Sequence, residues 1–265
     1  MASLENVQKR LASHVETIQS TDFLEQSLKL LRQLPFKNIR CIALGSPTQE
    51  FQALYQLALL KLLAKEFDIP PANISLYDPI FTDDDVHLLT TFEKYVVDEN
   101  EQTSPHYTSE TLYYMPHAPR SVTDRFLANV KPKWILGNDV RVTAGSLSQA
   151  KFLEEYPRLA KLVHIAEVRN TDAEEASTDV STDSMASPRT PGLQQSEFKV
   201  VTRRKRNRPK KHVYVEPKLD YDLVDVYFDT ITVTRIDSPD SAPWNDSFSD
   251  LALNVINPIE PNRNE

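Results

Sequence analysis

The sequence predicts the α/β class: a mostly parallel, three-layer sheet with an N-terminal helical extension and a disordered basic insert or linker. Two patterns carry this expectation. Short apolar runs of strand length alternate with longer stretches of helical period, and Pro, Asp or Gly stands at most of the junctions. Strands separated by helices pair in parallel through right-handed crossovers, which puts helices on both faces of the sheet. A chain of 265 residues, 40% hydrophobic, has enough apolar surface for one substantial domain with extensions or for two small ones.

Residues 1–35 read as a helical extension. Val7, Leu11, Val15 and Ile18 recur at helical spacing, as do Phe23, Leu24, Leu28, Leu31 and Leu34. The "STD" at 20–22 separates the two sets, and Ser20 or Thr21 can cap a second helix there. After Pro35, "IRCIALGS" is a buried-strand run ending in Gly45, and "TQEFQALYQLALLKLLAKEFDI" keeps helical period until Pro70 and Pro71 stop it. The rhythm then repeats. "NISLYDPIF" is a strand ending at Asp78 and Pro79, followed by a helix over "TDDDVHLLTTFE", whose Thr82 and aspartates suit a helix N-terminus. "KYVVDENE", "TLYYM" and "PKWILGND" supply three more strands. Helices are expected in the second half of "PHAPRSVTDRFLANV" and over "SLSQAKFLEEYPRLAKLV". The α/β domain so defined spans 36–168.

From Arg169 the composition turns to Ser, Thr, Asp, Glu and Pro with little to bury, so 169–212 is expected as a disordered linker containing a basic run. Residues 213–265 form a C-terminal segment. Its "YDLVDVYFDTITVTRI" alternates apolar and polar residues and offers one or two late strands to complete the sheet, while "LALNVI" is short and ambiguous.

The net charge of −8 hides an asymmetry. "RRKRNRPKK" at 203–211 holds seven of the thirty Lys and Arg, so the rest of the chain stands at −15, that is −8 less 7. An acidic body argues against general nucleic-acid binding. The basic run itself, Arg203, Arg204, Lys205, Arg206, Arg208, Lys210 and Lys211, has no aromatic residue for stacking on single strands, so recognition by an import receptor is preferred over direct nucleic-acid binding. Ser187 and Thr190 each precede a proline and are candidate phosphorylation sites that would add negative charge near the run. Cys41 is the sole cysteine, which excludes an intramolecular disulfide or a cysteine-based zinc site. The polar N-terminus has no apolar core of a secretory signal, and no run approaches a membrane span. Cytoplasmic and nuclear location without membrane association is expected.

Five short blocks then form an ordered series: "YQLALL" at 55–60, "YDPIF" at 77–81, "DENEQ" at 98–102, "YYMPHAP" at 113–119 and "ILGND" at 135–139. Together they resemble the sensitivity-to-red-light-reduced family, the SRR-like proteins of plants, animals and fungi. The likeness covers about residues 38–168 and lies in the order and spacing of the blocks. It implies a regulator with protein partners and no assigned reaction: circadian and light input in plants, clock-gene and haem-biosynthesis regulation in animals, microtubule-drug sensitivity in yeasts. Three departures stand out. The turn after the first strand is "ALGSPT" where the family tends toward Gly-x-Gly-x. The family's "MPHC" is Met115-Pro116-His117-Ala118 here, without a thiol. The basic segment follows the domain instead of preceding it.

The blocks fall at the carboxyl ends of strands, the edge where open parallel sheets bind ligands. Gly45, Asp78, Asn100, His117 and Asn138 are therefore the ligand-binding candidates. Gly45 would permit close backbone approach, and Asp78 would accept from a ribose or other diol. Their 33-residue separation exceeds the ~20 of the dinucleotide fingerprint, and only four glycines occur in the chain. His117 lacks a neighbouring Ser or Cys nucleophile, which favours ligand contact, or a turn-bridging hydrogen bond, over catalysis. Asp98, Glu99 and Glu101 offer oxygen ligands to a divalent cation, but a solvated acidic loop is preferred, and His87, His106, His164 and His212 lack zinc-ligand spacing. No residue specifies a particular cofactor. Two functional classes stay open: a non-enzymatic regulator that binds a partner or small ligand, and an enzyme on a Rossmann-like sheet such as a nucleotide- or adenosylmethionine-dependent transferase.

Overall fold

The computed structural model describes residues 4–101, 110–175, 219–239 and 241–259. One seven-stranded sheet organises them, made of β1 (Asn38–Ile42), β2 (Ile74–Tyr77), β3 (Val96–Val97), β4 (Thr111–Met115), β5 (Trp134–Asn138), β6 (Phe228–Arg235) and β7 (Leu251–Pro258), in the order β3-β2-β1-β4-β5-β7-β6. β1 to β5 run parallel, in registers such as Ile39 beside both Ile74 and Leu112. β7 enters antiparallel between β5 and β6, with Leu136 beside Leu253. The segment that read as ambiguous is thus a buried strand. Its Leu251, Ala252, Leu253 and Ile256 are all buried between two neighbours.

Residue alternation sends the two faces to different cores. Ile39, Cys41, Leu76, Leu112, Tyr114 and Leu136 pack on one side, against α1 (Leu4–Gln19), α2 (Asp22–Leu31) and α3 (Phe51–Glu66). Ile42, Tyr113, Met115 and Ile135 pack on the other, against α5 (Arg120–Asn129), α6 (Gln149–Glu155) and α7 (Pro157–Glu175). Helices therefore cover both faces. α3 is buried on all sides from Ala53 to Leu60, Gln56 included, as a helix sandwiched between a sheet and another helix layer requires. α1 lies on it, with His14 stacked on Tyr55 at 3.7 Å between ring centroids. Residues 1–35 thus share the main core: Phe23 of α2 stacks on Phe248 and packs at a tilt against Trp244, both from the turn that leads into β7.

Several boundaries differ from the sequence-based expectation. β1 stops at Ile42 because Ala43 turns into the left-handed region at φ 56°, which no strand continues. The helix expected over 146–163 is two, broken where Pro157 cannot donate an amide and opens α7 instead. The linker expected from 169 is corrected at its start, since α7 continues to Glu175; Ala173, Glu174 and Glu175 are good helix formers. Thr21 occupies the N-cap of α2, but its hydroxyl donates back to the Ile18 carbonyl and makes no cap bond. Thr82 behaves as its sequence suggested: with Asp85 it forms a reciprocal capping box on α4 (Asp83–His87), whose chain runs on into a π turn over Leu88–Phe92. Among the described residues no helix is long and apolar enough to cross a membrane.

Candidate functional site

The strand order reverses between β1 and β4, and the loops that leave their carboxyl ends diverge there to opposite faces of the sheet. A cavity of about 480 Å³ lies at that edge, within the ~300–1,000 Å³ typical of small-molecule sites. It takes Gly45 from the end of β1, Asp78 from the end of β2, Glu101 from beyond β3 and His117 from the end of β4. Gln52 and Ala53 of α3 and Val122 of α5 form part of its walls.

Two residues in the left-handed region shape the β1 exit: Ala43 at φ 56° and Gly45 at φ 82°. For an alanine that conformation costs about 1–2 kcal/mol, a strain that persists only where surrounding contacts impose it. Gly45 also leaves room for a neighbour, since a Cβ there would stand 2.4 Å from Oε2 of Glu50. The Gly45 amide donates to Oδ2 of Asp78 at 2.9 Å, and the Ile80 amide donates to Oδ1 at 3.1 Å. Asp78 therefore organises the turn before and after Pro79, and each oxygen keeps a lone pair for a donor in the cavity. His117 is exposed on the cavity wall and makes no hydrogen bond among the described residues, so the turn-bridging alternative finds no bond there.

Two buried charges fix the loops around the cavity. Asp85, fully buried, accepts from five donors: Ser46 Oγ at 2.7 Å, Thr48 N and Oγ1 at 2.9 and 2.7 Å, and Thr82 N and Oγ1 at 2.9 and 2.8 Å. Burial pushes its carboxyl upward, but the bonds from Thr82, Thr48 and Ser46 outweigh burial and hold its pKa below the ordinary value. The β1–α3 loop is thereby stapled to the start of α4. Arg40, in the middle of β1 and also fully buried, donates to Ser75 Oγ at 3.0 Å and to the Asn100 carbonyl at 3.1 Å, and pairs with Asp98. Its Nε has no partner among the described residues. This cation orders the segment beyond β3 and so presents Glu101, whose carboxylate Arg125 of α5 grips at 2.6 Å across the cavity rim.

Gly45, Asp78 and His117 share one cavity; Asn100 and Asn138 do not line it. Asn100 borders a neighbouring cavity that shares Glu101 and Arg125 as its wall, and its backbone carbonyl accepts from Arg40. Asn138, at the end of β5, borders a further cavity of about 480 Å³ beside Arg120 and Asp250. Its amide donates to the Ala118 carbonyl at 3.3 Å, and its Oδ1 is buried without a partner among the described residues. Among the described residues no cluster of His, Cys, Asp and Glu has a metal-binding arrangement. Asp98 and Glu101 are engaged by the two arginines. The basic run at 203–211 and Ser187 and Thr190 lie outside the described residues.

Sequence reasoning missed Arg40, Glu50, Asp85 and Arg125. Arg40 carried a usable signal: a charge inside an apolar strand run must be paired, and the third strand ends in an aspartate.

The SRR1 domain matches residues 7–255. The SRR1-like protein of Mus musculus is 28% identical over 129 residues, which are 46% of this chain and 52% of that protein. The SRR1-like protein of Drosophila melanogaster is 27% identical over 124 residues, 47% and 44% respectively. Protein SENSITIVITY TO RED LIGHT REDUCED 1 of Arabidopsis thaliana is 25% identical over 134 residues, 46% and 49%. The chain thus spans about half the length of the curated relatives it matches. No solved structure matches. Because the domain match takes in most of α1, the whole parallel sheet and most of β7, the chain belongs to the SRR1 domain family.

Proposed function

We propose that this SRR1-family chain is a regulatory protein that binds a small ligand at the carboxyl edge of its sheet and passes the bound state to protein partners. The observation that carries the reading is the cavity into which the ends of four parallel strands deliver Gly45, Asp78, Glu101 and His117. A fold holds Ala43 in a strained conformation and buries two charges beside a cavity when that geometry is wanted, and such features cluster at binding sites. The name of the plant relative supports a light-response output, and clock, haem-biosynthesis or microtubule outputs belong to the same proposal. Recognition of residues 203–211 by an import receptor would give it access to the nucleus, and a fusion with Arg203 to Arg206 changed to Ala should lose nuclear signal.

A thermal-shift screen of soluble metabolites tests the cavity. Ligand at ~100 times its Kd should stabilise the full chain by about 2.7 kcal/mol. Val122→Trp, which fills the cavity from the half-buried face of α5, should abolish that shift while leaving the melting temperature of the free protein nearly unchanged. A shift that survives in Val122→Trp would place the ligand elsewhere.

One observation favours a second reading, a Rossmann-like adenosylmethionine-dependent transferase. The strand order 3-2-1-4-5 at the centre of the sheet is that of doubly wound nucleotide-binding sheets, and Asp78 follows the second strand, where such sheets place the acidic residue that holds ribose hydroxyls. This is an analogy of fold. Consumption of S-adenosylmethionine by the wild type but not by His117→Ala would replace the binding reading with this one.

A further inference from the structure

We infer that the carboxyl-edge cavity takes a phosphate-free nucleoside, with preference for one that carries positive charge, and rejects nucleotides. The inference rests on the reading above that this cavity is a ligand site.

In open α/β sheets phosphate binds the loop after the first strand and the start of the following helix, through free backbone amides and nearby hydroxyls. Here most of the loop's donors are already spent, the first amides of α3 at Phe51 to Ala53 excepted. The Gly45 amide goes to Asp78, the Thr48 amide to Asp85, and the Gln49 and Glu50 amides to the Ser46 carbonyl; Pro47 has no amide at all. The hydroxyls of Ser46 and Thr48, which would otherwise complete a phosphate cradle, both donate to Asp85 at 2.7 Å. Asp85 is in effect the anion of this loop, supplied by the chain itself.

The cavity side of the loop carries the same message. Glu50 stands at the N-cap of α3, the position from which a phosphate would be repelled, and it is exposed with no side-chain cap bond. Its carboxylate leans over Gly45, since Oε2 lies 2.4 Å from where a Gly45 Cβ would stand. Glu50, Asp78 and Glu101 all face the cavity, against a single Arg125 that Glu101 already holds. A bound dianion would meet this excess of negative charge with only the Gln52 amide and the His117 ring as free side-chain donors on the wall, whereas a cation would be drawn to it.

The remaining features suit a nucleoside. Asp78 offers two carboxylate oxygens, each with one amide partner and a spare lone pair, to the paired hydroxyls of a ribose. Ile42, Leu44, Ala53, Ile80 and Val122 give apolar wall for a flat base.

Isothermal titration of the full chain with S-adenosylmethionine, adenosine, ATP and inorganic phosphate tests this. Adenosine and S-adenosylmethionine should bind, ATP at least tenfold more weakly than adenosine, and phosphate not at all. Glu50→Gln should weaken S-adenosylmethionine about fivefold, as loss of a partly exposed charge contact does, and leave adenosine within twofold. Asp78→Asn should weaken both. ATP or phosphate binding as tightly as adenosine overturns the inference while the cavity remains a ligand site. Failure of adenosine and S-adenosylmethionine alike also overturns it. The cavity reading falls with it only if the metabolite screen finds no ligand whose shift Val122→Trp abolishes.

Discussion

The two flanks of the cavity are held by buried charges of opposite sign, and they are satisfied to different degrees. On the β1–α4 flank Asp85 has five donors and no exposure. On the β3 flank Arg40 is equally buried, but its Nε is unpartnered among the described residues and the side chain of its partner Asp98 is 35% exposed. The first flank is a closed, fully paired network, in which each bond depends on a single carboxylate. The second is open to water on one side, so its anion can be resolvated when the cation is lost. Rigid positioning of Gly45 and compliant positioning of Glu101 follow from this difference.

The largest test of the comparison is Asp85→Ala. Removing the carboxylate strands buried donors of Ser46, Thr48 and Thr82, and a loss of about 3–5 kcal/mol is expected in denaturant unfolding. Arg40→Met should cost less, about 1–3 kcal/mol, because Asp98 regains water and the orphaned Nε disappears. Equal losses would show that the two flanks do not differ. The pH response separates them further. Asp85 has a folded pKa below its unfolded one, so its stabilisation is complete above about pH 4 and fades as pH falls through the lower, folded value. Asp85→Asn should flatten this acid limb, while Arg40→Met should leave it in place; urea midpoints between pH 2 and 6 read both. The smallest effect is at the strained exit of β1. Ala43→Gly should stabilise by up to about 1 kcal/mol, because a glycine accepts φ 56° without the alanine penalty. A destabilisation there would mean that Ala43 is held by packing of its methyl group, not merely tolerated.

Strand and helix order were legible in the sequence because each run obeyed one period and ended on a breaker: "TLYYM" is β4 and "NISLY" holds β2. The place of β7 was not, since five apolar residues around Asn254 do not reveal that a strand will insert antiparallel between two others. For the site, local chemistry marked Gly45, Asp78 and His117, which do converge on one cavity, but could not sort Asn138 from them. β5 lies beyond β4, and its loop turns to the far side of Pro119, a matter of sheet position and not of residue type. Asp85 was read as one of three aspartates good for a helix start, Asp83, Asp84 and Asp85. Only the third faces inward to Ser46 and Thr48, and that follows from a contact across 39 residues that no local pattern encodes.

Amide chemical shifts of the labelled chain, recorded against a library of small fragments, test the assignment of the binding site without presupposing a ligand. Perturbations should concentrate at Gly45, Asp78, His117 and Val122, with Asn138 and the α7 surface around His164 unmoved. Fragments that gather instead at Asn138 or along α7, or that perturb no residue of the β1 and β2 exits, would contradict it.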